Sequence, residues 1–142
     1  MKLNTKSRYA VMALADLAKY SSQKPVSLRE ISIRQNISVH YLEQIFLKLK
    51  KNNVVKSIRG IKGGYVLNKH PDEIKIAEIF FAIDEKVKTI ACKKDIKKSC
   101  NGKSVKCITH NLWDDLEKHI NSFFEKNTLE DIVYKSNQKE MN

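Results

Sequence analysis

The punctuation of residues 21–64 leaves the first half of this 142-residue chain few alternatives. A break at 21–25 follows a stretch, 6–20, in which Tyr9, Met12, Ala13, Leu17 and Tyr20 recur at helical spacing. Ser27-Leu28-Arg29-Glu30 then forms a capping box: the serine hydroxyl takes a free backbone amide and Glu30 reaches back. A second helix runs to about Gln35. Asn36-Ile37-Ser38 interrupts it, since asparagine tolerates a left-handed turn and Ser38 caps the next helix. Over 39–52, Leu42, Ile45, Phe46 and Leu49 make one apolar stripe and leave His40, Glu43, Gln44, Leu47, Lys48 and Lys51 on other faces. The β-rich runs 54–59 and 65–67 enclose Gly60-Ile61-Lys62-Gly63-Gly64, which supplies the glycines of a tight hairpin. Three helices followed by a hairpin predict a winged helix-turn-helix.

Charge agrees with that reading. Residues 1–70 hold fourteen Lys or Arg against three acids, Asp16, Glu30 and Glu43, while residues 71–142 hold thirteen of each; the entire net charge of +11 therefore arises in the first half. This is the footprint of a module that neutralises phosphates and releases their counterions. Codon drift in an A/T-rich genome would also add lysines, but it would not respect a boundary at residue 70. A hydrophobic fraction of 42% and a charged fraction of 30% are those of a globular protein, and no apolar run reaches the length of a membrane span. Residues 1–20 carry Lys2, Lys6, Arg8, Asp16 and Lys19 and do not read as a signal peptide, so a cytoplasmic location is expected.

Past the hairpin come a Pro-containing turn at 68–73, a short strand Ile74-Lys75-Ile76, and a helix through Ala77, Ile79, Phe80 and Ile83. Residues 85–109 are lysine-rich and lack hydrophobic periodicity, which predicts a loop that something other than a core must order. Over 111–126, Leu112, Trp113, Leu116, Ile120, Phe123 and Phe124 form an apolar stripe with little chain left to cover it. Such a face predicts a homodimer, with Leu112, Leu116, Ile120, Phe123 and Phe124 at the interface. Thr128-Leu129-Glu130-Asp131 caps a final short helix ending near Tyr134. The expected organisation is a winged domain over 1–70, a connecting strand and helix over 71–91, a ligand loop over 92–110, a dimerisation helix and short helix over 111–134, and a polar tail over 135–142. The fold class is mainly α with a small β-hairpin.

Cys92, Cys100 and Cys107 are the only cysteines, and with His110 they fall within nineteen residues. Reduced cytoplasmic thiols clustered in this way favour a metal site over a disulfide framework. Thiolates select zinc or iron-sulfur clusters, and imidazole suits both. Structural zinc sites bring cysteines in close pairs; gaps of seven and six lean towards a larger iron-sulfur cluster, with zinc the alternative. Read as an enzyme, Cys107 and His110 would be nucleophile and base. No nucleophile turn or oxyanion motif accompanies them, and two cysteines would go unexplained, so no enzyme is expected.

The opening Met1-Lys2-Leu3-Asn4-Thr5-Lys6-Ser7-Arg8-Tyr9-Ala10-Val11, the stretch Ile37-Ser38-Val39-His40-Tyr41-Leu42-Glu43-Gln44, the wing from Arg59-Gly60 to Gly63-Gly64-Tyr65, Asp84-Glu85, and Thr109-His110-Asn111-Leu112-Trp113 resemble the Rrf2 family of bacterial transcriptional regulators. The resemblance spans nearly the whole chain. Three cysteines with a histidine three residues after the last are similar to the branch that regulates iron-sulfur cluster assembly. That resemblance implies a homodimer holding one [2Fe-2S] cluster per subunit through Cys92, Cys100, Cys107 and His110, and repressing the assembly operon when the cluster is present. A nitric oxide-sensing branch shares the cysteines but generally lacks the histidine and carries Asp where this chain has Arg8. This chain departs from the branch in its wider cysteine gaps and in Ile61 and Lys62, which replace a proline and a glycine of the usual wing.

On this reading the helix from Val39 meets bases in the major groove of a palindromic double-stranded operator through Ser38, His40, Tyr41, Glu43 and Gln44. Lys48, Lys51 and Lys62 hold phosphates, and Arg59 enters the minor groove. Rival readings are a zinc-stabilised DNA-binding protein and an iron-sulfur carrier without a gene target, the latter opposed by the basic first half.

Overall fold

The protein is described by a computed structural model over residues 4–85 and 108–141. Asn4 opens α1 (Thr5–Tyr20), its side-chain oxygen accepting from the Ser7 amide at 2.8 Å. The capping box forms: Ser27 Oγ accepts from the Glu30 amide at 3.2 Å and Glu30 accepts from the Ser27 amide at 2.9 Å, which starts α2 (Leu28–Gln35). Asn36 ends α2 at φ 55° in the left-handed region, and Ser38 caps α3 (Val39–Lys51). A buried carboxylate sets α1 against α2. Asp16 accepts from Arg34 at 2.8 and 2.9 Å and from Gln35 at 2.8 Å, while the Arg34 guanidinium lies 4.1 Å from the centroid of the Tyr20 ring. Asp16 raises the pKa of Arg34 above its ordinary value through that hydrogen bonding.

Strand β1 (Val55–Ile58) pairs antiparallel with β2 (Gly64–Leu67), with Val55 opposite Leu67 and Ile58 opposite Gly64. Between them Gly60 sits at φ 121°, and a Cβ on Gly63 would strike the Ile58 carbonyl oxygen. The hairpin is anchored by a third segment that local pattern did not reveal. Val26 and Tyr65 exchange hydrogen bonds of 3.0 and 2.7 Å, bringing the backbone so near that a Cβ on Gly64 would lie 2.5 Å from the Val26 carbonyl.

A 3-10 turn (Pro71–Glu73) leads to α4 (Ile76–Ala82), and past residues 86–107 come α5 (His110–Lys126) and α6 (Leu129–Met141). Two expectations change here. Ile74-Lys75-Ile76 is no sheet strand: Lys75 makes an isolated bridge to Thr128, and Ile76 already opens α4. The final helix does not stop near Tyr134 but runs through the expected polar tail to Met141, with Glu140 2.7 Å from Lys19 of α1. Leu14 and Leu17 of α1, Leu42, Phe46 and Leu49 of α3, Ile79 of α4 and Leu129 of α6 share one core, so packing crosses the boundary expected at residue 70.

Candidate nucleic-acid interface and metal ligands

Because α3 buries Leu42, Ile45, Phe46 and Leu49, helical geometry turns His40, Gln44, Leu47 and Lys51 to the opposite side. These four follow at intervals of four, three and four residues, and all are exposed. Glu43 stands exposed beside them. The polar members are already organised: Gln44 Nε2 lies 3.3 Å from His40 Nε2, and Glu43 lies 4.0 Å from His40 Nδ1. Ser38 accepts from the Tyr41 amide at 3.1 Å, so its hydroxyl oxygen serves the cap while the proton stays available. Tyr41 is half-buried, meeting Tyr9 edge-on at a centroid distance of 5.4 Å.

Cations divide into two groups. Lys51, Arg59 and Lys62 are exposed and form no ion pair among the described residues, and Ile61 stands fully exposed between the two wing cations. Lys48, expected to hold a phosphate, places its Nζ 3.5 Å from Asp84, just past the end of α4. There it also meets Lys6, whose pKa is lowered first by hydrogen bonding to Lys48 and then by burial, while Lys6 itself lies 3.8 Å from Glu85. Lys48 is thus set apart from the outward stripe of α3, towards α1 and α4.

Helix α5 leaves its apolar face largely uncovered. Leu112, Trp113 and Phe123 are exposed, and Leu116 and Ile120 are half-buried. Phe124, grouped by sequence with the dimer stripe, is half-buried and packs against the core, its ring tilted on Phe80 at a centroid distance of 4.5 Å. Trp113 donates its indole N–H to Thr109 Oγ1 at 3.0 Å.

Of the four expected metal ligands, Cys92, Cys100 and Cys107 lie outside the described residues. His110 is described, as the first residue of α5. Its Nδ1 is buried and has no hydrogen-bond partner among the described residues. A buried ring nitrogen without a partner costs desolvation free energy that a ligand bond would offset. The donor set of three soft thiols and this nitrogen fits iron-sulfur or zinc chemistry. His70, Asp72 and Glu130 also bring potential ligand atoms within 4.8 Å of one another, but they are exposed and His70 is engaged by Asp72 at 2.6 Å.

Comparison with known proteins accords with this geometry. A family model described as Rrf2, iron-dependent transcriptional regulator, matches residues 3–135. The chain is 46% identical over 133 residues to the HTH-type transcriptional regulator IscR of Photorhabdus laumondii, covering 94% of this chain and 79% of that one. It is 44% identical over 141 residues to IscR of Pectobacterium atrosepticum, covering 99% and 82%. Among solved structures, T. potens IscR superposes with a TM-score of 0.81 at 32% identity over 100% of this chain and 93% of that one. CymR, the global cysteine regulator of B. subtilis, superposes with a TM-score of 0.80 at 31% identity over 95% and 98%.

Proposed function

The chain belongs to the Rrf2 family of transcriptional regulators, and from that premise we propose that it is a cytoplasmic homodimeric repressor whose DNA affinity reports the occupancy of a [2Fe-2S] cluster, one per subunit. The observation that carries the cluster reading is His110 Nδ1, buried without a partner among the described residues at the head of α5. The relatives named IscR support the same reading. Cys92, Cys100, Cys107 and His110 would hold the group, which when bound supplies an iron centre whose loss serves as the signal.

The chain's own residues carry the rest. His110 is the first residue of α5 and belongs to its first turn. Fixing His110 would fix that turn, and with it the helix whose exposed Leu112 and Phe123 face a second subunit. Two winged units related by a two-fold axis would then present two α3 helices to successive major grooves of a palindromic site. His40, Glu43 and Gln44 would meet base edges, Lys51 and Lys62 phosphates, and Arg59 the minor groove. DNA affinity follows cluster occupancy only if the arrangement fixed by the ligands alters the spacing or orientation of those helices.

The test is anaerobic purification followed by a visible spectrum and iron, sulfide and zinc analysis. We expect a coloured protein with two irons per subunit, and loss of colour on Cys92→Ala, Cys100→Ala or Cys107→Ala. Colourless protein holding stoichiometric zinc would contradict the cluster and leave a zinc-stabilised DNA-binding protein.

A further inference from the structure

Leu47 occupies the middle of the outward stripe of α3, bracketed by Gln44 and Lys51, and is 70% exposed. A single exposed leucine needs no explanation on an arbitrary surface. Here, however, every other member of the stripe is polar, and the helix has already placed Leu42, Ile45, Phe46 and Leu49 in the core. Neither helix propensity nor folding requires an apolar side chain at this position. An apolar group at the centre of a surface that enters the major groove has one complementary partner there: the C5-methyl of thymine, which none of the other three bases carries.

We propose that Leu47 is a specificity-determining residue that selects thymine by packing against its methyl group. The proposal rests on the reading of α3 as the recognition helix. Leu47 lies three residues beyond Gln44, about 4.5 Å along the helix axis, comparable with the roughly 3.4 Å rise between base pairs. The selected thymine would therefore lie about one step from the base that Gln44 reads. His40 and Gln44, paired at 3.3 Å, supply the hydrogen-bonding part of the code, and Leu47 supplies an apolar part that hydrogen bonding cannot provide.

The experiment selects duplexes from a random-sequence pool with the wild-type protein. Each thymine of the preferred duplex is then replaced singly by deoxyuridine, which removes only the methyl, and affinity is measured at fixed salt for wild type, Leu47→Ala, Leu47→Met and Lys51→Ala. At one thymine in each half-site we expect wild type to weaken by about four-fold, the worth of one buried methylene-sized group. Leu47→Ala should be indifferent to that replacement, Leu47→Met should recover the sensitivity, and Lys51→Ala should keep it. Wild type indifferent to every replacement, or Leu47→Ala retaining the same sensitivity, overturns the proposal. Selection of no duplex at all would instead remove the DNA-reading role of α3, and this inference with it. Because Leu47 is exposed and alanine is the best helix former, thermal unfolding of Leu47→Ala should match wild type and exclude a folding defect.

Discussion

In α3 the stripe Leu42, Ile45, Phe46 and Leu49 is at most 1% exposed, whereas no apolar residue of α5 is fully buried and Leu112 and Phe123 stand 60% and 61% exposed. Both helices are amphipathic, yet the core has taken the apolar face of one and left that of the other. The side of α3 opposite that stripe is consequently polar and directional except at Leu47, with Val39 exposed at the start of the helix. Among the exposed residues of α5, Leu112, Trp113 and Phe123 form an apolar, non-directional face beside polar ones, the kind of surface that excludes water against another protein surface. Physical type therefore separates a surface suited to base edges from a surface suited to a second subunit, although both belong to similar helices of one chain.

The largest effect expected from testing this contrast is on the inward face of α3. Phe46→Ala should cost about 3–5 kcal/mol of stability, since the ring is fully buried and meets Tyr65 of β2 at a centroid distance of 4.9 Å. Thermal or denaturant unfolding measures it, and a cost below about 1 kcal/mol would mean the core collapses around the gap. Next, Phe123→Asp on the outward face of α5 should leave monomer folding near wild type but give monomers by sedimentation. Operator affinity should then fall by roughly 100-fold or more as the second half-site contact is lost. A stable dimer from this variant would place the interface away from the exposed face of α5.

Smaller effects sharpen the α3 side. Gln44→Ala should lose about 1–3 kcal/mol of discrimination at one base pair, read by competition among operator variants, while other positions keep their preferences. An unchanged preference at every position would show that the His40–Gln44 pair does not read bases. Lys51→Ala should weaken all sequences alike and reduce the slope of log affinity against log salt by about one. A loss confined to one base pair would move Lys51 from phosphate to base contact.

Much of the first half is legible because its signals are local. The Ser27–Glu30 capping box, Asn36 at φ 55° and the Gly60–Gly64 hairpin each depend on residues a few positions apart. The Val26–Tyr65 and Lys75–Thr128 bridges join segments far apart in sequence, and no periodicity announces them. Ile74 and Ile76 alternate inward as a strand would, but they belong to a turn and a helix start. The length of α6 was hidden for a related reason: residues 135–141 carry few apolar groups, and Lys19 on α1 supplies an ion pair that local sequence cannot show. At the candidate site, helical spacing separated the stripe of His40, Gln44, Leu47 and Lys51 from the core. The turn of Lys48 towards Asp84 and of Phe124 towards Phe80 depends on α4, which spacing within one helix does not register.

The proposed coupling between the head of α5 and the outward face of α3 is measured by DNA affinity in two states of one preparation. Anaerobically purified protein is divided, half is stripped of metal by a chelator under reducing conditions, and both halves are titrated against the duplex selected from a random pool. Tighter operator binding is expected of the loaded half, and no difference between halves once His110→Ala removes the proposed ligand at the head of α5. Equal affinity of loaded and stripped wild-type protein, with the fold intact in both, would contradict the coupling.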